Sequence, residues 1–172
     1  NVVRHARASR ADVIVQGGGF QGFPAAVADV IAGTDGVAAV DRVRTDQAQL
    51  GEQTTLVTAV APEAIGRGVR LVAVDGEMQV GPGSVLLSQS QAETSGVTVG
   101  DRIALRLARG GPSDLEVVGV YQDSQLVGPA LLDLDTAAAG FASRTDTALL
   151  VTAQDGTDTA SLVAAAEAAT VA

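Results

Sequence analysis

The sequence contains no cysteine, no lysine and no tryptophan, with one histidine, one tyrosine and three phenylalanines. Without cysteine there can be no disulfide, thiolate nucleophile or cysteine-held metal. The compartment stays open, because exported domains also do without disulfides. Aromatics at 2% argue against a surface that stacks bases or sugars. The 11 basic residues, all arginine, are outnumbered to a net charge of -9, which repels phosphate backbones and makes nucleic acid a poor partner. No apolar run reaches the ~18–20 residues of a membrane span. The polar start, with Arg4, Arg7 and Arg10, is no signal peptide. Asn1 and the Ala-rich end at Ala172 read as the ends of a fragment cut from a longer chain.

What is present is a large aliphatic fraction. Hydrophobic residues make up 47% of 172, enough for one domain, or one domain with an inserted subdomain, cored by Val, Leu, Ile and Ala. After a polar lead-in over residues 1–10, Asp12–Gln16 reads as a strand broken by Gly17–Gly22. Phe23, Val27, Val30 and Ile31 recur at helical spacing, predicting a helix over Phe23–Ala32 ended by Gly33. Strands follow at Val37–Val43 and Thr54–Val60, the second stopped by Pro62. Near the far end Thr147–Thr152 reads as a strand, with Gly156-Thr157-Asp158 as turn and cap before a helix to about Ala169.

Between these parts the chain reads mostly as strand. Ser84–Leu87 precedes a short helix capped by Ser88, with Gln91 completing a capping box and Gly96 just after the helix. Gly100-Asp101 turns into Arg102–Leu107, where Ile103, Leu105 and Leu107 alternate with Arg102 and Arg106. Gly110-Gly111-Pro112 joins this to Leu115–Tyr121 as a hairpin. Ala130–Leu134 is another strand, and Asp135 is placed to cap a small helix ending near Gly140. The fold class expected is α+β: a ferredoxin-like βαβ layer from residues 11–67 and 140–172, with a β-rich lobe, 68–139, inserted.

The run Gly83-Ser84-Val85-Leu86-Leu87-Ser88, then Ala92, Gly96, Val99-Gly100-Asp101-Arg102-Ile103 and Val117-Val118-Gly119-Val120-Tyr121, resembles the signature of MacB-like periplasmic core domains. Val60-Ala61-Pro62, Asp75-Gly76 and Gly81 fall where that family has related turns, though Ala61 replaces its usual acidic residue. The resemblance implies the extracytoplasmic domain of an FtsX/MacB-like ABC-transporter permease, outside the bacterial cell membrane. Its partners would be the transmembrane helices of the parent permease, a cytoplasmic ATPase acting through them, and an envelope protein or a lipid or lipoprotein substrate. It implies transport, no enzyme activity, no catalytic residue and no cofactor. Gly100 and Asp101 then read as turn chemistry, Asp101 accepting backbone hydrogen bonds.

Other readings compete at particular residues. Gly17-Gly18-Gly19-Phe20-Gln21-Gly22 matches a dinucleotide fingerprint, with Asp41 at the end of the next strand, and would suit an oxidoreductase fragment. A helix starting early enough to meet a pyrophosphate would put Pro24 past its first turn, at ~3 kcal/mol, so a free loop is favoured. A secreted binding protein is the third reading. Gly17–Phe20 is similar to the carboxylate-binding loop of PDZ domains, but Val99–Ile103 lies too far along the chain for that module. His5 sits in the lead-in and reads as a tail residue, not a general base. Asp133 with Asp135, and Asp155 with Asp158, read as caps and turns ahead of calcium ligands. Arg4, His5, Arg7 and Arg10 form a basic stretch that suits a solvated linker, or anionic headgroups beside a membrane. Leu126-Val127-Gly128-Pro129 reads either as a contact tip or as a packed turn.

Overall fold

The computed structural model describes residues 2–4, 13–16, 22–142 and 145–171. In chain order these form β1 (Val2–Arg4), β2 (Val13–Gln16), α1 (Ala25–Ala32), β3 (Val37–Leu50), β4 (Gln53–Val60), β5 (Ala73–Gly76) and β6 (Ser84–Ser88). They continue with α2 (Gln89–Ser95), β7 (Arg102–Arg106), β8 (Ser113–Tyr121), β9 (Ala130–Asp133), α3 (Leu134–Gly140), β10 (Ala148–Ala153) and α4 (Thr159–Val171). The chain divides into two compact units: Asn1–Arg44, Gly66–Arg70 and Arg144–Ala172, and Thr45–Ile65 with Leu71–Ser143. The fold is α+β.

The first unit is a sheet in the order β1-β2-β10-β3, antiparallel at every step. Strand β10 lies between β2 and β3, which α1 connects, so this is a split β-α-β arrangement. Helices α1 and α4 pack together and bury Val15, Leu149 and Val151 under Ala28, Ile31, Leu162 and Ala166. The opposite face of β10 is also covered, because Gly68 lies against Leu150. Ala148 to Val151 are therefore all buried, as suits an apolar central strand.

Helix α1 starts at Ala25, two residues later than its periodicity suggests. Phe23 instead pairs with Asp146, its N–H donating to the Asp146 carbonyl at 2.6 Å and its carbonyl accepting from the Asp146 N–H at 2.9 Å. Pro24 is the residue before the helix, where its missing N–H costs nothing. Val30, read as part of the apolar stripe, is 59% exposed. Strand β1 carries no strand signal in a lead-in that reads as polar.

The second unit closes on itself. The far end of β3 pairs with β4 and β7, β4 runs parallel to β9, β9 pairs with β6, β6 runs parallel to β8, and β8 pairs with β7. These six strands form a ring without a free end. Alternate residues point inward, among them Ala48, Leu50, Val57, Ala59, Val85, Leu87, Ile103, Leu105, Leu115, Val117, Ala130 and Leu132. A narrow barrel has room only for side chains of this size, so a core nearly free of aromatics is sufficient. Ala92 from α2, and Ala137 with Phe141 at the end of α3, join the same core.

The barrel explains two departures from the sequence reading. Strand β3 runs to Leu50 because Gln49 and Leu50 pair with Arg106 and Leu105, a demand invisible in the polar run Thr45–Gln49. Strand β5 pairs only with β8, opposite Gly119 to Tyr121, and all four of its residues are exposed. A third departure is local: α3 begins at Leu134, so Asp133 is its N-cap and Asp135 lies in the first turn. The Thr136 hydroxyl donates to the Asp133 carboxylate.

Candidate functional site

The motif residues of the middle segment lie around α2 and β8 in the second unit. Ser88 caps α2, accepting from the Gln91 N–H at 3.2 Å, and Gly96 ends that helix in the left-handed region at φ +67°. The reciprocal half of the expected capping box is replaced. The Ser88 N–H donates to the Pro129 carbonyl at 2.9 Å, and the Gln91 side chain reaches Ser95 at 2.8 Å. Asp101 accepts from the Thr98 N–H at 2.9 Å, and Gly100 turns at φ +96°. This turn is stitched to β8, the Gly100 N–H donating to Val117 and the Val117 N–H to Asp101. The Val99-Gly100-Asp101 motif is thus a turn device.

Between β5 and α2 lies an open cleft of about 350 Å³ lined by Val74, Ala92, Val97, Val99 and Val120, with Asp75 and Glu93 at its edge. Next to it the segment after β8 is clasped to α2. Asp123 accepts from the Ser90 N–H at 3.0 Å and from the Ser90 hydroxyl. The Tyr121 hydroxyl donates to the Gly128 carbonyl at 2.7 Å. Burial raises the pKa of Tyr121 well above the ordinary tyrosine value, with the Asp123 charge adding to it. Val127 is buried, so Leu126–Pro129 is a packed turn and not a protruding tip.

The hydrogen bonds from the Ser90 side chain and backbone hold the pKa of Asp123 below its ordinary 3.8. A depressed carboxylate stabilises the fold fully above its unfolded-state pKa, and that contribution disappears as pH falls through the folded-state value. Asp123→Asn is therefore expected to lower stability at neutral pH and to flatten the acid limb, so that the two stability curves converge as pH falls. Urea denaturation of both proteins from neutral to acid pH reads this directly.

The first unit holds a separate set of charges. Asp146 is wholly buried and accepts from Arg42 at 3.0 Å and Arg44 at 2.8 Å. Arg42 also meets Asp29 at 2.7 Å and donates to the Ala25 carbonyl at 3.1 Å, tying α1 to β3. On the other face of β3, buried Asp41 is paired with Arg67 at both carboxylate oxygens. The two faces follow from strand alternation, Asp41 on one and Arg42 with Arg44 on the other. Their partners were illegible in the sequence, since Asp146 lies more than 100 residues from either arginine.

These placements bear on the rival readings. His5 and Gly17–Gln21 lie outside the described residues. Gly22 turns at φ +55°, and a Cβ there would come within 2.7 Å of the Asp146 carbonyl, so its need for glycine is structural. Asp41, the candidate ribose ligand, has its carboxylate engaged by Arg67. The antiparallel β10 between β2 and β3 also removes the parallel neighbours that a dinucleotide crevice requires. Asp158 accepts from the Ala160 N–H at 3.1 Å in its expected capping role. Among the described residues no group of three or more His, Asp or Glu is placed to hold a metal ion.

Comparison with known proteins agrees with the arrangement. No curated protein sequence matches the chain. The periplasmic region of MacB from Actinobacillus actinomycetemcomitans superposes with a TM-score of 0.61 at 13% identity, covering 89% of this chain and 78% of that one. The extracellular domain of the noncanonic ABC-type transporter YknZ from Gram-positive bacteria gives 0.58 at 19% identity, covering 81% and 78%. A domain of a putative permease protein from Porphyromonas gingivalis gives 0.54 at 19% identity, covering 83% and 66%. The model of the MacB-like periplasmic core domain matches residues 1–169. The chain therefore belongs to the MacB-like periplasmic core domain family, as an extracytoplasmic domain of an ABC-transporter permease.

Proposed function

We propose that this domain carries ATP-driven motion of its permease to an exported substrate or a cell-envelope partner, and performs no bond-making chemistry. The observation that carries this reading is the family match over nearly the whole chain. The first unit adds a physical reason. The elements nearest both ends of the sequence, β1 and β2 at one and α4 at the other, pack in one unit, α4 lying against β1, β2 and α1. Transmembrane helices of the parent permease joined at those ends would act on a single layer. The Asp146, Arg42, Arg44 and Asp29 charges brace that layer. The cytoplasmic ATPase is then a partner only through the helices. The cargo belongs to the classes a mechanical device can move or switch: a lipid, a lipoprotein, a peptide or a wall enzyme.

The test is a distance measurement in the assembled transporter. Val30 is exposed and this chain has no cysteine of its own, so a spin label at Val30→Cys, with any cysteines elsewhere in the transporter replaced, reports from this domain alone. The distance between the labels on two permease copies is expected to shift by several ångström between nucleotide-free and ATP-trapped states. A transporter that hydrolyses ATP while this distance, and that from other exposed positions, stays fixed would overturn the reading.

A further inference from the structure

We propose that the cleft between β5 and α2 is a docking site for a polypeptide segment that carries an aliphatic side chain next to lysine or arginine. The inference rests on the reading of the domain as a partner-contacting module and names the surface and partner chemistry.

Four large hydrophobic residues are exposed among the described residues, and two of them, Val72 and Val74, are neighbours around one short strand. Val72 is 50% and Val74 46% exposed. Among the described residues strand β5 ends the order of strands, with β8 on one side and no strand on the other. Its register slips between Ala73 and Asp75, so Val74 is the residue of a bulge. Bulges at sheet edges commonly re-aim a side chain, and here Val74 lines the cleft. Facing it are Ala92 of α2, half-buried Val97 and Val99, and Val120.

The charge of the rim selects among occupants. Asp75 and Glu93 line the cleft, and none of its lining residues is basic. Glu77, just after β5, is also exposed and acidic. An anionic headgroup would be repelled there. At about 350 Å³ the cleft is at the low end of small-molecule pockets, roughly 300–1,000 Å³, and takes a side chain or two. A second copy of this chain would bring its own net charge of -9 toward the acidic rim. A basic segment with an aliphatic anchor satisfies both the wall and the rim, and the open edge of β5 leaves backbone groups for an extended partner.

The experiment uses the 172-residue chain, isotopically labelled, and three soluble hexapeptides: alternating Arg and Leu, alternating Glu and Leu, and alternating Arg and Ser. Amide shifts are followed by NMR during titration. The Arg/Leu peptide is expected to move amides in 73–77, 89–99 and 120, and to bind at least 10-fold tighter than the other two. Val74→Glu and Glu93→Arg should each weaken it about 10-fold while leaving the melting temperature unchanged, and Glu93→Arg should strengthen the Glu/Leu peptide. No binding, equal binding of all three, or shifts mapping elsewhere would overturn the proposal. So would a dimer, seen by sedimentation and lost in Val74→Glu, or co-sedimentation with phosphatidylglycerol vesicles through the same residues. The spin-label distances read motion without reference to the cleft, so failure of either claim is visible by itself.

Discussion

Asp146→Ala is expected to lower the stability of the domain by about 3 kcal/mol, because it removes the buried carboxylate shared by Arg42 and Arg44 and leaves Arg42 only the exposed Asp29. At this chain length the loss corresponds to a fall in melting temperature of roughly 6–12 °C. Breaking a buried pair from one side leaves the other charge desolvated, which is why the cost exceeds the net worth of the pair. Asp29 provides the internal contrast. It also meets Arg42, at 2.7 Å, but its side chain is 76% exposed. Asp29→Ala should therefore cost about 0.5 kcal/mol or less. Asp146→Asn, which keeps the shape and removes the charge, should fall near the alanine variant. Guanidinium denaturation of the three variants checks the ordering. Equal small losses at Asp29 and Asp146 would mean that burial does not govern this network.

Gly119→Ala is expected to cost about 2–3 kcal/mol through overpacking. A Cβ at Gly119 would stand 2.3 Å from the Glu77 carbonyl oxygen and 3.0 Å from the Leu86 side chain. The first neighbour is backbone, so the segment following β5 must move. Across the pairing, a Cβ on Gly76 would stand 2.3 Å from the Val118 carbonyl oxygen, and Gly76 also has φ +68°. The two strands thus approach closely from both sides, and each needs its glycine. Beyond the shift in denaturation midpoint, hydrogen exchange at the Glu77 amide, which donates to Val118 at 3.0 Å, should quicken markedly. Gly111→Ala is the control. Nothing lies within 4 Å of its would-be Cβ, and the substitution should be neutral or slightly stabilising. If Gly119→Ala proved equally silent, the close crossing of β5 and β8 would be wrong.

This second case also shows why a sequence signature can be read before its meaning is known. Asp75-Gly76 and Val117-Val118-Gly119-Val120-Tyr121 look unrelated along the chain. In the fold Gly76 pairs with Gly119, and the two motifs are halves of one contact. Ser88, Gly96, Gly100 and Asp101 were legible individually because caps and turns are local: each needs partners only a few residues away. Asp123 and Ser90 were not legible, since their bond spans 33 residues and neither carries a local pattern.

The sequence by itself determined the family and most of the local elements, β1 and β5 excepted. Period-two alternation marked Arg102–Leu107, a β-branched run marked β4, and glycine and aspartate marked the turns, because these follow from backbone preferences within a few residues. It also determined what kind of core the protein has, since Val, Leu, Ile and Ala far outnumber the three phenylalanines and single methionine in supply. Only the tertiary structure decided that six strands close into a ring, that β5 is left at an open edge with Val72 and Val74 exposed, and which aspartates are buried. Ring closure depends on which distant strands pair, as Gln49 does with Arg106, and strands of similar alternation can satisfy many such pairings equally well. Burial likewise separates Asp146 from Asp29, two identical side chains on one arginine, and nothing in either residue's neighbours along the chain distinguishes them.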